Sequence, residues 1–297
     1  MFGVRRKMPQ SNFKEYDMFR FNKKWPVLLA AVFMMGTSAF ASGTPQTAQF
    51  SGSAGSQQIG LDDVDVLSLD QLGSVRIENG ETASVVFSGP EENLGSVSWN
   101  YEEGYLRIEG VGNEASSVNA VITVPDFDGL IVSGGTRAVL AERSLAHGLA
   151  LYIEDGGIFS TEGVLTVENL EVYARGAESG SLEVNAGALD VKTDGGRLVF
   201  SGSAGEMKLY AMRASDVELN GLNLDKGEVT LNDTSALTGS LAGLSNLTIL
   251  GRQNSQAEVA LNGRLKAGAY DDAVLKFEGD IRLERNYTED DAKITVK

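Results

Sequence analysis

The chain has no cysteine, which excludes a disulfide framework, a thiolate metal site and a lipidated N-terminal cysteine. Proline is scarce: there are five, and none follows Pro125. Proline cannot donate a backbone N–H, so this long proline-free stretch suits strands whose amides all bond to neighbours. Histidine occurs once. His147, beside Gly148, reads as a surface loop residue, with no second histidine for a metal pair and no partner for a conventional nucleophile–His–acid triad. No Gly-x-Ser-x-Gly elbow or phosphate-cradling loop is present.

Basic residues are few as well. Residues 1–41 hold seven of the 25 Lys/Arg and two of the 41 Asp/Glu, so the remainder carries 18 basic and 39 acidic residues, a net charge of −21. An acidic surface repels phosphate backbones, and nucleic acid is excluded as a partner. The charge keeps an exported, strand-rich protein soluble and discourages pairing of sheet edges.

Phe21-Asn22-Lys23-Lys24, an apolar run from Trp25 to Met35, and Ala39-x-Ala41 form the basic, apolar and small-residue parts of a secretory signal peptide, with cleavage expected after Ala41. The apolar run is shorter than the roughly 20 residues of a spanning helix, so no transmembrane segment is expected after cleavage. Met1 and Met18 are alternative starts. Residues 42–62, rich in Ser, Gly, Gln and Thr, read as a flexible lead-in, and 63–297 as a single β domain.

Within that domain, 63–125 form an N-terminal β segment with short runs at Asp65 to Leu69, Val75 to Ile77, Ser84 to Phe87, Val97 to Trp99, Tyr105 to Ile108 and Val118 to Val124. From 126 to 297 a unit of about 19 residues recurs. Its turns centre on Gly134-Gly135, Gly156-Gly157, Gly176, Gly195-Gly196, Ala214-Ser215, Asp233, Gln253-Asn254 and Asp271-Asp272. An alternating strand precedes each turn, as in Leu130/Val132, Leu151/Ile153, Val172/Ala174, Val191/Thr193, Leu209/Ala211 and Val229/Leu231. A second often follows, as in Leu198/Phe200 and Val217/Leu219. Ala138 to Ala146 could form a short helix, but its place in the repeat favours strand and loop.

A unit with about four inward aliphatic side chains gains roughly 1.5–3 kcal/mol from each, while ordering its backbone costs about 1–2 kcal/mol per residue. One unit cannot stand alone, so the units must stack. Eight rungs at about 4.8 Å would give a stack of roughly 38 Å. The expected fold is all-β: a solenoid of stacked units of about 19 residues, preceded by a β-rich segment.

The strand and proline at Ile122-Thr123-Val124-Pro125, followed by Ile131-Val132-Ser133-Gly134-Gly135 and Thr193-Asp194-Gly195-Gly196, resemble the head GIN-domain family of putative autotransporter adhesins, from about Val64 to the end of the chain. The resemblance implies that the solenoid is a right-handed parallel β-helix-like one, and that the protein is exported. The chain departs from that pattern at Arg213-Ala214-Ser215 and Asn232-Asp233-Thr234, where non-glycine residues occupy the turns, and it carries no C-terminal barrel-like segment of its own.

The acidic groups Asp62-Asp63-x-Asp65 and Asp271-Asp272 match neither calcium loop pattern and read as turn chemistry, so no metal or cofactor is expected. If Leu151, Val172, Val191 and Leu209 point inward, then Tyr152, Tyr173, Lys192 and Tyr210 share the outer face of successive rungs. Ile131 precedes this column, and Thr230 and Tyr270 follow it. The column could be a stabilising ladder, or a platform on which Tyr152, Tyr173 and Tyr210 bind a glycan or a cell-surface protein. The expected function is that of a non-enzymatic, exported binding protein, adhesin-like, in the periplasm, at the cell surface or outside the cell. The alternative is a carbohydrate-active β-helix enzyme such as a polysaccharide lyase.

Overall fold

A computed structural model describes residues 46–47, 56–61 and 63–297. The expected signal peptide lies outside the described residues, as does Asp62. Among the described residues, eighteen strands join in one sheet that coils into a β-solenoid of about eight turns. The first eight strands are β1 (Gln46–Thr47), β2 (Ser56–Gly60), β3 (Val66–Asp70), β4 (Ser74–Asn79), β5 (Ser84–Ser88), β6 (Val97–Glu102), β7 (Tyr105–Gly110) and β8 (Asn119–Val124). The repeats contribute β9 (Gly129–Ser133), β10 (Arg137–Ser144), β11 (Gly148–Glu154), β12 (Ile158–Arg175), β13 (Ser179–Leu231), β14 (Ala236–Gly251), β15 (Gln256–Ala269), β16 (Val274–Glu278), β17 (Ile281–Thr288) and β18 (Lys293–Val296).

Each turn crosses two walls. The first wall runs through β9, β11, the end of β12, and successive passes of β13, β14, β15 and β17. The second runs through β10, the start of β12, and on to β16 and β18. All these pairings are parallel, turn bonded to turn, with register shifts such as those at Ser160/Leu165 and Asn223/Lys226. Between the walls the same inward position stacks from turn to turn. Leu130, Leu151, Val172 and Val191 are in register and fully buried on the first wall. Val217, Leu237, Ala257 and Leu275 do the same on the second. Of Ala138 to Ala146, weighed above as a helix or as strand and loop, residues up to Ser144 are strand, paired with β4 and β12, and the rest is loop.

The N-terminal segment is spliced into this stack out of chain order. Strands β3 and β4 make a turn of their own, parallel to β9 and β10, and β7 and β8 lie parallel beyond them. There the direction reverses: β6 is antiparallel to β7, and β5 to β8. Strands β1 and β2 fall within the stretch read as lead-in and add antiparallel to β6 and β5. Arg143 ties this end to the repeats. It is 5% exposed, and its Nη2 donates to the carbonyls of Val124 (2.9 Å) and Pro125 (3.0 Å). Its guanidinium lies 4.9 Å from the Phe127 ring centroid.

The corners between the walls require left-handed backbone, supplied by glycine at Gly134, Gly135, Gly156, Gly195 and Gly196. In the later turns Arg213, Asp233, Gln253 and Asp271 adopt the same conformation, with φ of 55°, 57°, 57° and 59°. A side chain there costs about 1–2 kcal/mol. The offset is a ladder of side-chain hydrogen bonds. The Arg213 amide donates to Asp233 Oδ2 (3.2 Å), the Asp233 amide to Gln253 Oε1 (2.8 Å) and the Gln253 amide to Asp271 Oδ2 (3.1 Å). Each corner thus satisfies the amide one turn below, at about 1.5–3 kcal/mol where the acceptor is charged. This explains why the late turns can dispense with glycine.

In denaturant unfolding, Asp233→Ala is expected to lose about 1–3 kcal/mol, with Asp233→Asn near wild type because it keeps both the acceptor and the tolerance for left-handed backbone; equal loss in both would contradict the ladder. Arg143→Ala, which leaves the buried Val124 carbonyl and the part-buried Pro125 carbonyl without their donor and opens a void, should cost about 2–4 kcal/mol in the same assay.

Candidate functional site

Parallel pairing turns the outward residues of the first wall into columns that run along the stack. One column passes from Arg107 to Ser68, Ile131, Tyr152, Tyr173 and Lys192. The Tyr152 and Tyr173 rings are stacked, with centroids 4.9 Å apart and planes 12° from parallel. Lys192 Nζ lies 5.1 Å from the Tyr173 centroid. The arrangement follows from the strand geometry, because equivalent residues on adjacent turns sit about 4.8 Å apart, close to ring-stacking distance.

The rings are more enclosed than an outward position implies. Tyr152 is only 6% exposed and Ile131 2%, while Tyr173, Lys192 and Tyr210 are half-buried. The Tyr173 hydroxyl donates to Glu171 Oε2 at 2.9 Å. Burial, then the charges of Glu171 and Glu154, push the Tyr152 phenol up to about 12. Burial and the Glu171 carboxylate push Tyr173 upward as well. Both phenols therefore stay protonated, and the Tyr173 proton is committed to Glu171. Glu154, at the end of the same strand as Tyr152, is also held above the usual carboxylate range by burial, against the opposing pull of Arg175.

Tyr210 lies on the same wall, between the buried Leu209 and Ala211. The Asn232 amide donates to the Ala211 carbonyl (2.9 Å), which aligns Thr230 with Tyr210. From Thr230 the register runs to Leu250, Gly268 and Tyr287. Tyr270, expected in this column, is therefore displaced from it by two positions, and Tyr287 takes the place. The cause is a varying turn length. The step from Ile131 to Tyr152 is longer than that from Tyr173 to Lys192, and the step from Leu250 to Gly268 is shorter still.

The other residues weighed from sequence fall elsewhere. His147 is exposed, and its charge acts on Asp128, whose carboxyl is raised mainly by burial. Asp271 is a corner acceptor. Among the described residues no three His, Asp or Glu side chains group as a metal site, and no helix is long and apolar enough to cross a membrane. The second wall bears a shallow groove of about 370 Å³, lined by Thr238, Glu258, Lys276, Phe277 and Thr295, in which Lys276 and Glu258 pair with each other at 3.5 Å.

Similar solved structures share this architecture. A putative adhesin from Parabacteroides merdae is 15% identical, with a TM-score of 0.56 over 82% of this chain and 95% of that one. A protein from Parabacteroides distasonis described as a putative lipid binding protein is 13% identical, with a TM-score of 0.61 over 82% and 96%. A putative adhesin from the same species is 14% identical, with a TM-score of 0.52 over 83% and 98%. No curated protein matches the chain. The family described as putative auto-transporter adhesin, head GIN domain, matches residues 63–252, and the chain belongs to that family.

Proposed function

We propose that this protein is an exported, non-enzymatic, adhesin-like solenoid that holds a glycan or a cell-surface protein against its first wall through Tyr152, Tyr173 and Tyr210. The observation that carries this reading is the Tyr152–Tyr173–Lys192 stack, a rigid strip with hydroxyl and ammonium groups along its edge. Both faces of the Tyr173 ring are engaged within the column. A partner would therefore meet ring edges, the Tyr173 oxygen as an acceptor (its proton already goes to Glu171) and the Lys192 ammonium, groups that need little ordering on binding. The family description and the neighbouring adhesins support the adhesin-like role. The alternative of a polysaccharide lyase finds less support, since Lys276 and Glu258 in the groove of the second wall are paired with each other.

Because Tyr152 is nearly buried, alanine at the three tyrosines would disturb the stack itself. The sharper test is Tyr173→Phe with Tyr210→Phe and Lys192→Met, which keeps the volumes and removes the polar edge. The expected result is loss of adhesion to host or bacterial surfaces with melting within a few degrees of wild type; full adhesion in this variant would refute the tyrosine strip. Export has its own test. N-terminal sequencing of the protein recovered from the cell envelope or medium should begin at Ser42, and an intact Met1 or Met18 terminus would contradict cleavage.

A further inference from the structure

On the outer face of the first wall, where it passes through β14, β15 and β17, five exposed cations gather: Arg252, Arg264, Lys266, Arg282 and Arg285. They are five of the 18 basic residues that follow residue 41, in a stretch whose net charge is −21. The register sets Arg264 beside Arg282, and Lys266 beside Arg285, on adjacent turns. Like charges about 4.8 Å apart on a sheet destabilise it. Glu284, at a bulge in β17, relieves part of this by pairing with Arg264 (3.6 Å) and Lys266 (3.5 Å). Among the described residues no carboxylate lies within ion-pair distance of Arg282 or Arg285. The cluster is thus a local cost that the fold does not need.

Two aromatic rings adjoin the cations. Tyr287 is 46% exposed and tilts against Tyr270, with centroids 5.4 Å apart and planes at 46°. The Arg252 guanidinium lies 5.9 Å from the Tyr270 centroid. Glu289 accepts from the Tyr287 hydroxyl at 3.1 Å, which fixes the ring's orientation. Between Leu250 and Tyr287 in register stands Gly268, so the surface at this point is built from the two rings, bare backbone and the half-buried Leu250 side chain.

From this geometry we infer that the C-terminal part of the first wall binds a linear acidic polysaccharide, its carboxylate or sulfate groups meeting the Arg/Lys rows and the apolar face of a pyranose ring lying on Tyr287. Rows of fixed cations repeating with the turns suit a polyanion whose charges also repeat at the length of a sugar unit. An exposed ring next to guanidinium groups suits a ligand with both an apolar face and an anion. Duplex nucleic acid carries one charge per ~1.7 Å, denser than these rows. The flanking acidic corners Asp271-Asp272 and Asp290-Asp291 would oppose so dense a polyanion. A membrane surface would call for apolar side chains reaching past the cations; the outward neighbours here are Tyr270, Tyr287 and the half-buried Leu250, while the exposed Leu283 pairs with the buried Leu265 and so faces the open end of the stack. The site is independent of the Tyr152–Tyr173 strip and stands or falls without it.

The test is binding of the purified full chain to polygalacturonate and to heparin, with dextran, phosphatidylglycerol vesicles and duplex DNA as comparison probes, at two salt concentrations. The inference predicts saturable binding to the acidic polysaccharides that weakens with salt, and none to dextran. Arg282→Gln with Arg285→Gln should weaken it at least tenfold while melting stays the same or rises, since a repulsive apposition is removed. Tyr287→Ala should weaken it about fivefold, and Lys276→Gln with Lys293→Gln, on the other wall, should leave it unchanged. Tighter binding to vesicles or DNA than to polygalacturonate, equal loss from the other-wall variant, or unchanged binding in the arginine variant would overturn it.

Discussion

Every turn of this protein leans on its neighbours through parallel backbone hydrogen bonds, and that dependence governs the rest. A turn exposes amides and carbonyls on both edges and has too few inward side chains to offset the entropy of ordering it. Stacking satisfies the backbone and sets Leu130, Leu151, Val172 and Val191 one above another, so that each floor of the core is the ceiling of the next. The same constraint reaches the surface. Whatever points outward on one turn is brought to within about 5 Å of its counterpart on the next, so columns of like residues are a consequence of the fold.

Two of those columns differ in what they cost. The Tyr152–Tyr173–Lys192 column is favourable in itself, through stacking and a cation–ring contact, and is compatible with a purely structural role as well as with binding. The Arg264–Arg282 and Lys266–Arg285 appositions are unfavourable in themselves. A local cost without a compensating contact points to a ligand more directly than a contact that stabilises the fold. On an otherwise acidic chain this contrast separates a wall that holds itself together from a wall built to meet something else.

Much of the architecture is legible in the sequence because alternation and the recurring turn positions are local signals. The inward positions from Leu130 to Phe277 are buried, and every expected turn centre from Gly134 to Asp271 has left-handed backbone at or beside it. Other features are not local. That β3 and β4 pair with β9 and β10, with four strands (β5 to β8) intervening in the chain, depends on partners far along the sequence. The last turn escapes the repeat pattern because a bulge at Glu284 breaks the alternation of β17. Tyr270 falls outside the column expected for it because turn length drifts along the stack, and the same drift conceals Tyr287. Alternation shows which side of the strand Tyr152 occupies, but the closeness of its surroundings is a tertiary property. The basic patch is hidden by the net charge, which averages over walls that only the register separates.

The dependence of each turn on the next is most directly tested by native-state hydrogen exchange. The amides of Val172, Val191, Val229, Ile249 and their in-register neighbours should show slow exchange with closely similar opening free energies, declining toward β1 and β2 at one end and toward Ile281–Thr288 and Lys293–Val296 at the other, where each strand has a partner on one side alone. Independent protection in separate blocks, or fast exchange through 169–251, would contradict a stack whose turns hold one another in place.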